Sequence, residues 1–395
     1  TPVGRAAQFL KTADSTTLMV TYNDSLRLGY PCPEQSTTYV EIRMDGGYMN
    51  PRCYQRRLDQ VVGATTKNLH DHYQTVCVAE NVPKGLHQFD VWVYAAGCGT
   101  SYVGWDESQP MVLVQELPTD GSVSYVKAGT AFGEHTGTWA QVSGRSLAVT
   151  KQSASSLLRL TLADTFRVSY PCNQGYGELE IRMDGVAMTK RCFVGKYDDA
   201  GGSGGNDHHG PMVMQCIQEA IPAGPHTFTV WTRQLGCGSV YVGWDRTYPL
   251  LMAEELPAGK VSYWTGTDVT ANVTGGWAVA AGRQFTHTVS DASKHVKITL
   301  SDTLRTGYYC NGGYGHLEVR ADSQPLPEPC KFGQYQAVGG TTGLDFHWPF
   351  QLTCVTGGLT KGPHLFQVYW IAEGCGSLYL GWNRGQTLFS AEELP

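Results

Sequence analysis

Twelve cysteines are the residues best placed to do chemistry in this 395-residue chain. They stand at Cys32, Cys53, Cys77 and Cys98, at Cys172, Cys192, Cys216 and Cys237, and at Cys310, Cys330, Cys354 and Cys375. Each set of four repeats the same spacing to within one residue. None lies in a CxxC pair, so a zinc site built from cysteine is not expected. Well-separated cysteines in even number fit disulfides formed in an oxidising compartment. Four cysteines allow three pairings. We expect first with second and third with fourth, as in Cys32–Cys53 and Cys77–Cys98.

Histidine is the second candidate. "NLHDHYQTVC", "NDHHGPMVMQC" and "LDFHWPFQLTC" place His70, His209 and His347 seven residues before the third cysteine of each set, with Asn68, Asp207 and Asp345 two residues earlier. Two readings stand. The three imidazoles meet at a pseudo-threefold axis and bind a metal ion, with Asp207 and Asp345 as ligands or as their support. Alternatively, each His makes local hydrogen bonds that order its own loop. A further set, His87, His226 and His364, shares a strand with Phe89, Phe228 and Phe366, and reads as satisfied histidines at a sheet end. No GxSxG, HExxH, P-loop or dinucleotide-binding glycine pattern is present, so no enzyme and no required cofactor is expected.

The elements that carry these residues also come three times. "GCGTSYVGWD", "GCGSVYVGWD" and "GCGSLYLGWN" begin at Gly97, Gly236 and Gly374, and each runs on to "QELP" or "EELP". A period of about 139 residues is domain-sized. The boundaries are 1–118, 119–257 and 258–395. Leu18, Val20 and Tyr22 alternate with polar or exposed positions, as do Leu158, Leu160 and Leu162, and Val296, Ile298 and Leu300, which marks half-buried strands. "NDS", "ADT" and "SDT" then read as turns carrying Asp24, Asp164 and Asp302. A second strand, "VEIRMDG", "LEIRMDG" and "LEVRADS", sets a Glu–Arg exterior at Glu41/Arg43, Glu180/Arg182 and Glu318/Arg320. Trp105, Trp244 and Trp382 are expected in the core, with Asp106, Asp245 and Asn383 capping the turn after them.

With many short strands, 47 Gly and no convincing helical pattern, each unit reads as an all-β, two-sheet sandwich of the jelly-roll type. The segments "VSYVKAGTAFGEHTGTWAQVSGR" and "VSYWTGTDVTANVTGGWAVAAGR" open the second and third units as first strands. The first unit begins instead at "VGRAAQFLKTADS". From this, and from the start at Thr1, we expect a processed or trimmed N-terminus and a first unit that lacks its upstream strand. The net charge of −6 and the absence of a basic run exclude a nucleic-acid binder. No apolar run approaches the roughly 18 residues of a membrane span. Two sequons, at Asn23 and Asn272, are glycan acceptors if the chain is secreted by a eukaryote.

The phrases "FLKTADSTTLMVTYNDSLRL" and "GCG…GW…EELP" resemble the C-terminal domain of the collagen-triple-helix-repeat-containing protein family. The resemblance covers most of each unit. It implies a jelly roll related to the globular heads of complement collagen-like and tumour-necrosis-factor-like proteins, which trimerise about a threefold axis. No Gly-X-Y stalk is present. Three tandem copies then imply a trimer within one polypeptide, where linkage gives effective concentrations on the order of millimolar. The function expected is a non-enzymatic, extracellular structural or assembly protein whose partners are itself or other extracellular structural chains. The alternative is a multivalent recognition protein for glycans or a cell-surface receptor.

Overall fold

The computed structural model describes residues 2–32, 35–104, 108–127, 133–135, 137–170, 172–199, 205–243, 247–267, 275–306, 311–339, 344–381 and 385–394. They form strands and connecting turns, with no helix among them. Repeat 1 contains β1 (Pro2–Lys11), β2 (Thr17–Tyr30), β3 (Ser36–Met44), β4 (Gly47–Val62), β5 (Thr66–Ala79), β6 (Gly85–Gly97), β7 (Thr100–Val103) and β8 (Met111–Leu117). Repeat 2 contains β9 (Val123–Lys127), β10 (Gly133–His135), β11 (Ala140–Lys151), β12 (Leu157–Tyr170), β13 (Gly175–Met183), β14 (Val186–Asp199), β15 (Gly205–Gln218), β16 (Gly224–Gln234), β17 (Ser239–Val242) and β18 (Leu250–Leu256). Repeat 3 contains β19 (Val261–Thr267), β20 (Ala278–Val289), β21 (Val296–Arg305), β22 (Gly313–Ala321), β23 (Gln324–Gly339), β24 (Asp345–Thr356), β25 (Gly362–Gly374), β26 (Tyr379–Leu380) and β27 (Gln386–Glu393).

Every sheet is shared between two repeats. One runs β1-β6-β3-β4 from repeat 1 and continues through β15-β12 of repeat 2, with β17, β18, β9 and β10 beyond. The next runs β11-β16-β13-β14 from repeat 2 into β24-β21-β27-β19 of repeat 3. The last runs β20-β25-β22-β23 from repeat 3 into β5-β2 of repeat 1, with β7 and β8 beyond. The order 1→2→3→1 closes on itself. All three seams are antiparallel and equivalent: Leu58 lies opposite His209, Tyr197 opposite His347, and Tyr335 opposite His70.

Each repeat packs its own four-stranded half-sheet against its other half, which lies in a neighbouring sheet. The core of repeat 1 joins Val40, Ile42 and Phe89 to Leu18, Val20 and Tyr22. Matching cores surround Ile181 and Leu160 in repeat 2, and Val319 and Ile298 in repeat 3. Smaller apolar clusters sit between repeats, such as Met19, Val78, Leu250 and Met252 between repeats 1 and 2.

This arrangement corrects three expectations. β2 is not half-buried: Met19 and Thr21, on its second face, are each 5% exposed because that face packs on the neighbouring repeats. The "NDS" turn is the middle of β2, where Asn23 is 1% exposed and has no room for a glycan in the folded chain. The disulfides are nested rather than sequential. Cys53 bridges to Cys77, Cys192 to Cys216 and Cys330 to Cys354, each over a separation of 24 residues. The reason is that β4 and β5 are consecutive in the chain but lie in facing half-sheets, so the second and third cysteines meet across the core. The outer bonds, Cys32–Cys98 and Cys172–Cys237, close the end where β2 meets the "GCG" turn. Cys375 is also disulfide-bonded, while Cys310 lies outside the described residues. So do Asn272, Trp105, Asp106, Trp244, Asp245, Trp382 and Asn383.

Local chemistry explains two repeated phrases. In "GCG", Gly97 and Gly99 have φ of +89° and +76°, and a Cβ on Gly99 would collide with the Gly29 carbonyl. In the "GW" phrase, Gly104 has φ of +75°, and a Cβ there would meet the Arg5 guanidinium. That guanidinium reaches Asp24 at 3.0 Å. Arg145–Asp164 at 2.9 Å and Arg283–Asp302 at 2.7 Å repeat the pair, both nearly fully buried. Asp24, Asp164 and Asp302 are thus buried anchors rather than turn residues. Burial pushes the carboxyls of Asp24 and Asp164 up, and the guanidinium beside each partly offsets this.

Candidate functional site

The structure does not bring His70, His209 and His347 to one point. Each lies on its own seam, at most 1% exposed, on β5, β15 or β24. Each is held by the residue two positions earlier, whose side chain points the same way along a strand. His70 Nε2 lies 2.8 Å from Asn68 Oδ1, His209 Nε2 3.0 Å from Asp207 Oδ1, and His347 Nε2 2.8 Å from Asp345 Oδ1. Asp207 and Asp345 are shared with arginines, at 2.8 Å from Arg167 and 2.6 Å from Arg305. The edge of His347 meets the ring of Tyr197, and that of His70 meets Tyr335, both across a seam. Among the described residues no group of three or more His, Cys, Asp or Glu could hold a metal ion. The metal reading is therefore replaced by the local one. Burial, with nearby cations, pushes His70 down to about 3 and His209 and His347 down to about 4. The second set is satisfied as expected. His87, His226 and His364 each lie within hydrogen-bond distance of an aspartate, Asp45, Asp184 or Asp322, and of a backbone carbonyl four residues earlier.

What meets between the repeats is a different cluster. It surrounds a cavity of about 50 Å³ lined by all three repeats. Arg57 of repeat 1 donates to Asp59 at 3.0 Å and to Asp71. Gln334 of repeat 3 donates to the other oxygen of Asp71 at 3.0 Å. In repeat 2, Lys196 donates to the His208 carbonyl at 2.9 Å and lies 3.5 Å from Asp198. The Trp348 indole of repeat 3 donates to Asp198, and its ring lies 5.3 Å from Arg57 and 5.5 Å from Lys196. Such cation–π contacts strengthen when water is excluded. Burial pushes Asp71 up to about 6, while Arg57 and His208 beside Asp59 keep its carboxyl below the usual range against the cost of burial. Lys67, which donates to the Asp59 carbonyl at 2.5 Å, brings the cations to three against the three carboxylates Asp59, Asp71 and Asp198, which suits a structural network that selects one packing of the repeats.

A second repeated site lies on the outer face. Glu41 accepts from Arg43 at 3.2 Å and from Arg52 at 2.7 Å. Glu180 accepts from Arg182 at 2.9 Å and Arg191 at 2.5 Å, and Glu318 from Arg320 at 2.7 Å. The first arginine of each set stacks on an aromatic ring: Arg43 on Trp92 at 4.0 Å, Arg182 on Trp231 at 4.5 Å, and Arg320 on Tyr369 at 4.3 Å. The Glu–Arg pairing was legible in the sequence but not its burial: Glu41, Glu180 and Glu318 are 7%, 0% and 8% exposed, covered by the arginines that pair with them. The central cluster was not legible, because its residues differ between repeats: Arg57, Lys196 and Gln334 occupy one position, and Asp71, Gly210 and Trp348 another. That divergence within conserved phrasing of the chain's own repeats is the signal that could have found it.

No family model matches the chain, and neither does any curated protein sequence. Among solved structures, the infectious bursal disease virus VP2 subviral particle aligns over 99% of this chain and 80% of that one, at 11% identity and a TM-score of 0.19. A likeness this slight carries no argument.

Proposed function

We propose that this chain is a non-enzymatic, secreted structural or assembly head, a trimer made in one polypeptide. The observation that carries the reading is the closed exchange of sheets. Each repeat completes the next one's sheet, and the third completes the first's. The seam edges that would join separate subunits are thereby used up within the chain. The nested disulfides staple each core and suit an oxidising, extracellular setting. No helix among the described residues is long and apolar enough to cross a membrane. The resemblance to the collagen-triple-helix-repeat-containing family supports the same reading, since such heads work as trimers. A trivalent recognition protein is less well supported, because the outer sites of the three repeats differ: Pro329 stands where Arg52 and Arg191 do, and Tyr369 where Trp92 and Trp231 do.

The test is mass and shape in solution by light scattering and small-angle X-ray scattering. A compact particle at the chain mass of 43.1 kDa is expected. Extended beads, or fibres formed through the seam strands, would overturn the closed head.

A further inference from the structure

Each seam carries an arginine at the same point of the ladder, Arg27 on β2, Arg167 on β12 and Arg305 on β21. Each lies opposite a tyrosine of the strand after the "GCG" turn, Tyr102, Tyr241 or Tyr379. Each stacks on that ring, at 5.0, 4.6 and 4.9 Å. In repeats 2 and 3 a carboxylate of the same repeat neutralises the cation. Arg167 Nε lies 2.8 Å from Asp207, and Arg305 Nε lies 2.6 Å from Asp345. Both arginines are 6% exposed.

Repeat 1 departs from this pattern inside β5. Asn68 stands where Asp207 and Asp345 do, and its carbonyl oxygen is already taken by His70. An amide brings no charge to match a guanidinium. Arg27 Nε, the atom through which its sisters meet their aspartates, is buried without a partner. No carboxylate among the described residues acts on Arg27. Burial pushes its guanidinium down, and only the phenols of Tyr102 and Tyr30 oppose that. A desolvated, unpaired cation is costly. Arg27 is also less covered than its sisters, being half-buried. A second ring, Tyr30, lies 3.7 Å from it, and Tyr30 and Tyr102 are 41% and 48% exposed.

We propose that Arg27, Tyr30 and Tyr102 form a binding site for an acidic sugar, a saccharide residue carrying one carboxylate. The sister seams show which group matches this guanidinium. Arginine takes a carboxylate through parallel N–H donors, and such charge-assisted bonds are about twice as strong as neutral ones. The exposed phenol faces offer an apolar surface to the C–H face of a sugar ring. One uncompensated cation matches one negative charge, while the net charge of −6 opposes a polyanion. The site goes beyond the assembly reading and rests on its extracellular setting for the source of the sugar. The fold is tested by scattering and the site by titration, so each can fail alone.

The probe is methyl glucuronide, titrated into the intact chain at pH 7 and followed by saturation-transfer NMR. Saturable one-site binding is expected. Methyl glucoside, its uncharged counterpart, should bind at least about tenfold more weakly, the range of a lost charge-assisted hydrogen bond. Asn68→Asp restores the carboxylate of the sister seams. It should weaken glucuronide binding about tenfold and leave the melting temperature unchanged or higher. Arg27→Gln should weaken binding similarly. Absence of saturable binding, or equal binding by the glucoside or by the Asn68→Asp chain, overturns the proposal. Tighter binding of glucose 6-sulfate than of the glucuronide overturns the carboxylate as the anion. Binding seen only with a polyuronate and abolished by salt overturns the single-residue site.

Discussion

Lowering the pH from 7 to 5 should destabilise the fold strongly, and the seams say why. His70, His209 and His347 are buried with folded values of about 3, 4 and 4, and His72 of about 4, because burial opposes the charged ring. In the unfolded chain each titrates near 6.5. A depressed histidine contributes stability above the unfolded value and loses it as the pH falls toward the folded one. At pH 5 each such ring costs about 2 kcal/mol, or roughly 8 kcal/mol for four. Asp71 works the other way. Its folded value, about 6, exceeds the unfolded one, so proton uptake on acidification returns about 1 kcal/mol. His87, His226 and His364 also oppose the loss, since an aspartate raises each of them. Their aspartates are half-exposed, so solvent screens that gain. The net expectation is a loss on the order of 6 kcal/mol, comparable to the whole stability of many domains. Urea titrations at pH 7, 6 and 5 measure it, with an unchanged slope and a falling midpoint. His347→Gln should flatten the pH dependence by about 1.4 kcal/mol per unit between 6.5 and 4. Constant stability between pH 7 and 5, or ring-proton titrations of the seam histidines near 6.5, would refute the reasoning.

Arg145→Ala leaves the Asp164 carboxylate buried without its guanidinium and should cost about 3–5 kcal/mol in thermal or urea unfolding; a loss under 1 kcal/mol would mean the pair is idle. Replacing both Cys53 and Cys77 by Ala removes a cross-link spanning 24 residues and should cost about 3.5 kcal/mol on the loop-entropy scale. Non-reducing peptide maps should join Cys53 to Cys77 and Cys32 to Cys98, and recovery of Cys32–Cys53 peptides would contradict the nested fold.

The tandem units, the all-β class and the Glu–Arg pairing could be read from local pattern, because alternation and repeated turn phrases are local. The second face of β2 could not. Met19, Arg159 and Lys297 occupy one position in the three repeats, and sequence alone assigns such a mixed position to solvent. It is buried here because a neighbouring repeat covers it: Arg159 meets Glu392 of repeat 3 at 2.7 Å as well as Glu254 of its own repeat at 2.8 Å. Cysteine pairing failed for a similar reason. The spacings leave three pairings open, whereas the observed one follows which sheet each strand joins. The histidines are legible as a repeated set, but their period says only that they are equivalent, not that they converge.

Joining three copies in one chain also permits what a homotrimer cannot have. A symmetric assembly would place Asp71, or Arg57, three times around its axis, and like charges would meet in a desolvated cavity. Covalent linkage frees each copy to differ. Repeat 1 contributes Arg57 and two carboxylates, repeat 2 contributes Lys196 and Asp198, and repeat 3 contributes Gln334 and the Trp348 indole that bridges the two halves. Lys67 of repeat 1, which donates to the Asp59 carbonyl, supplies a third cation for the three carboxylates, so the charges balance without symmetry.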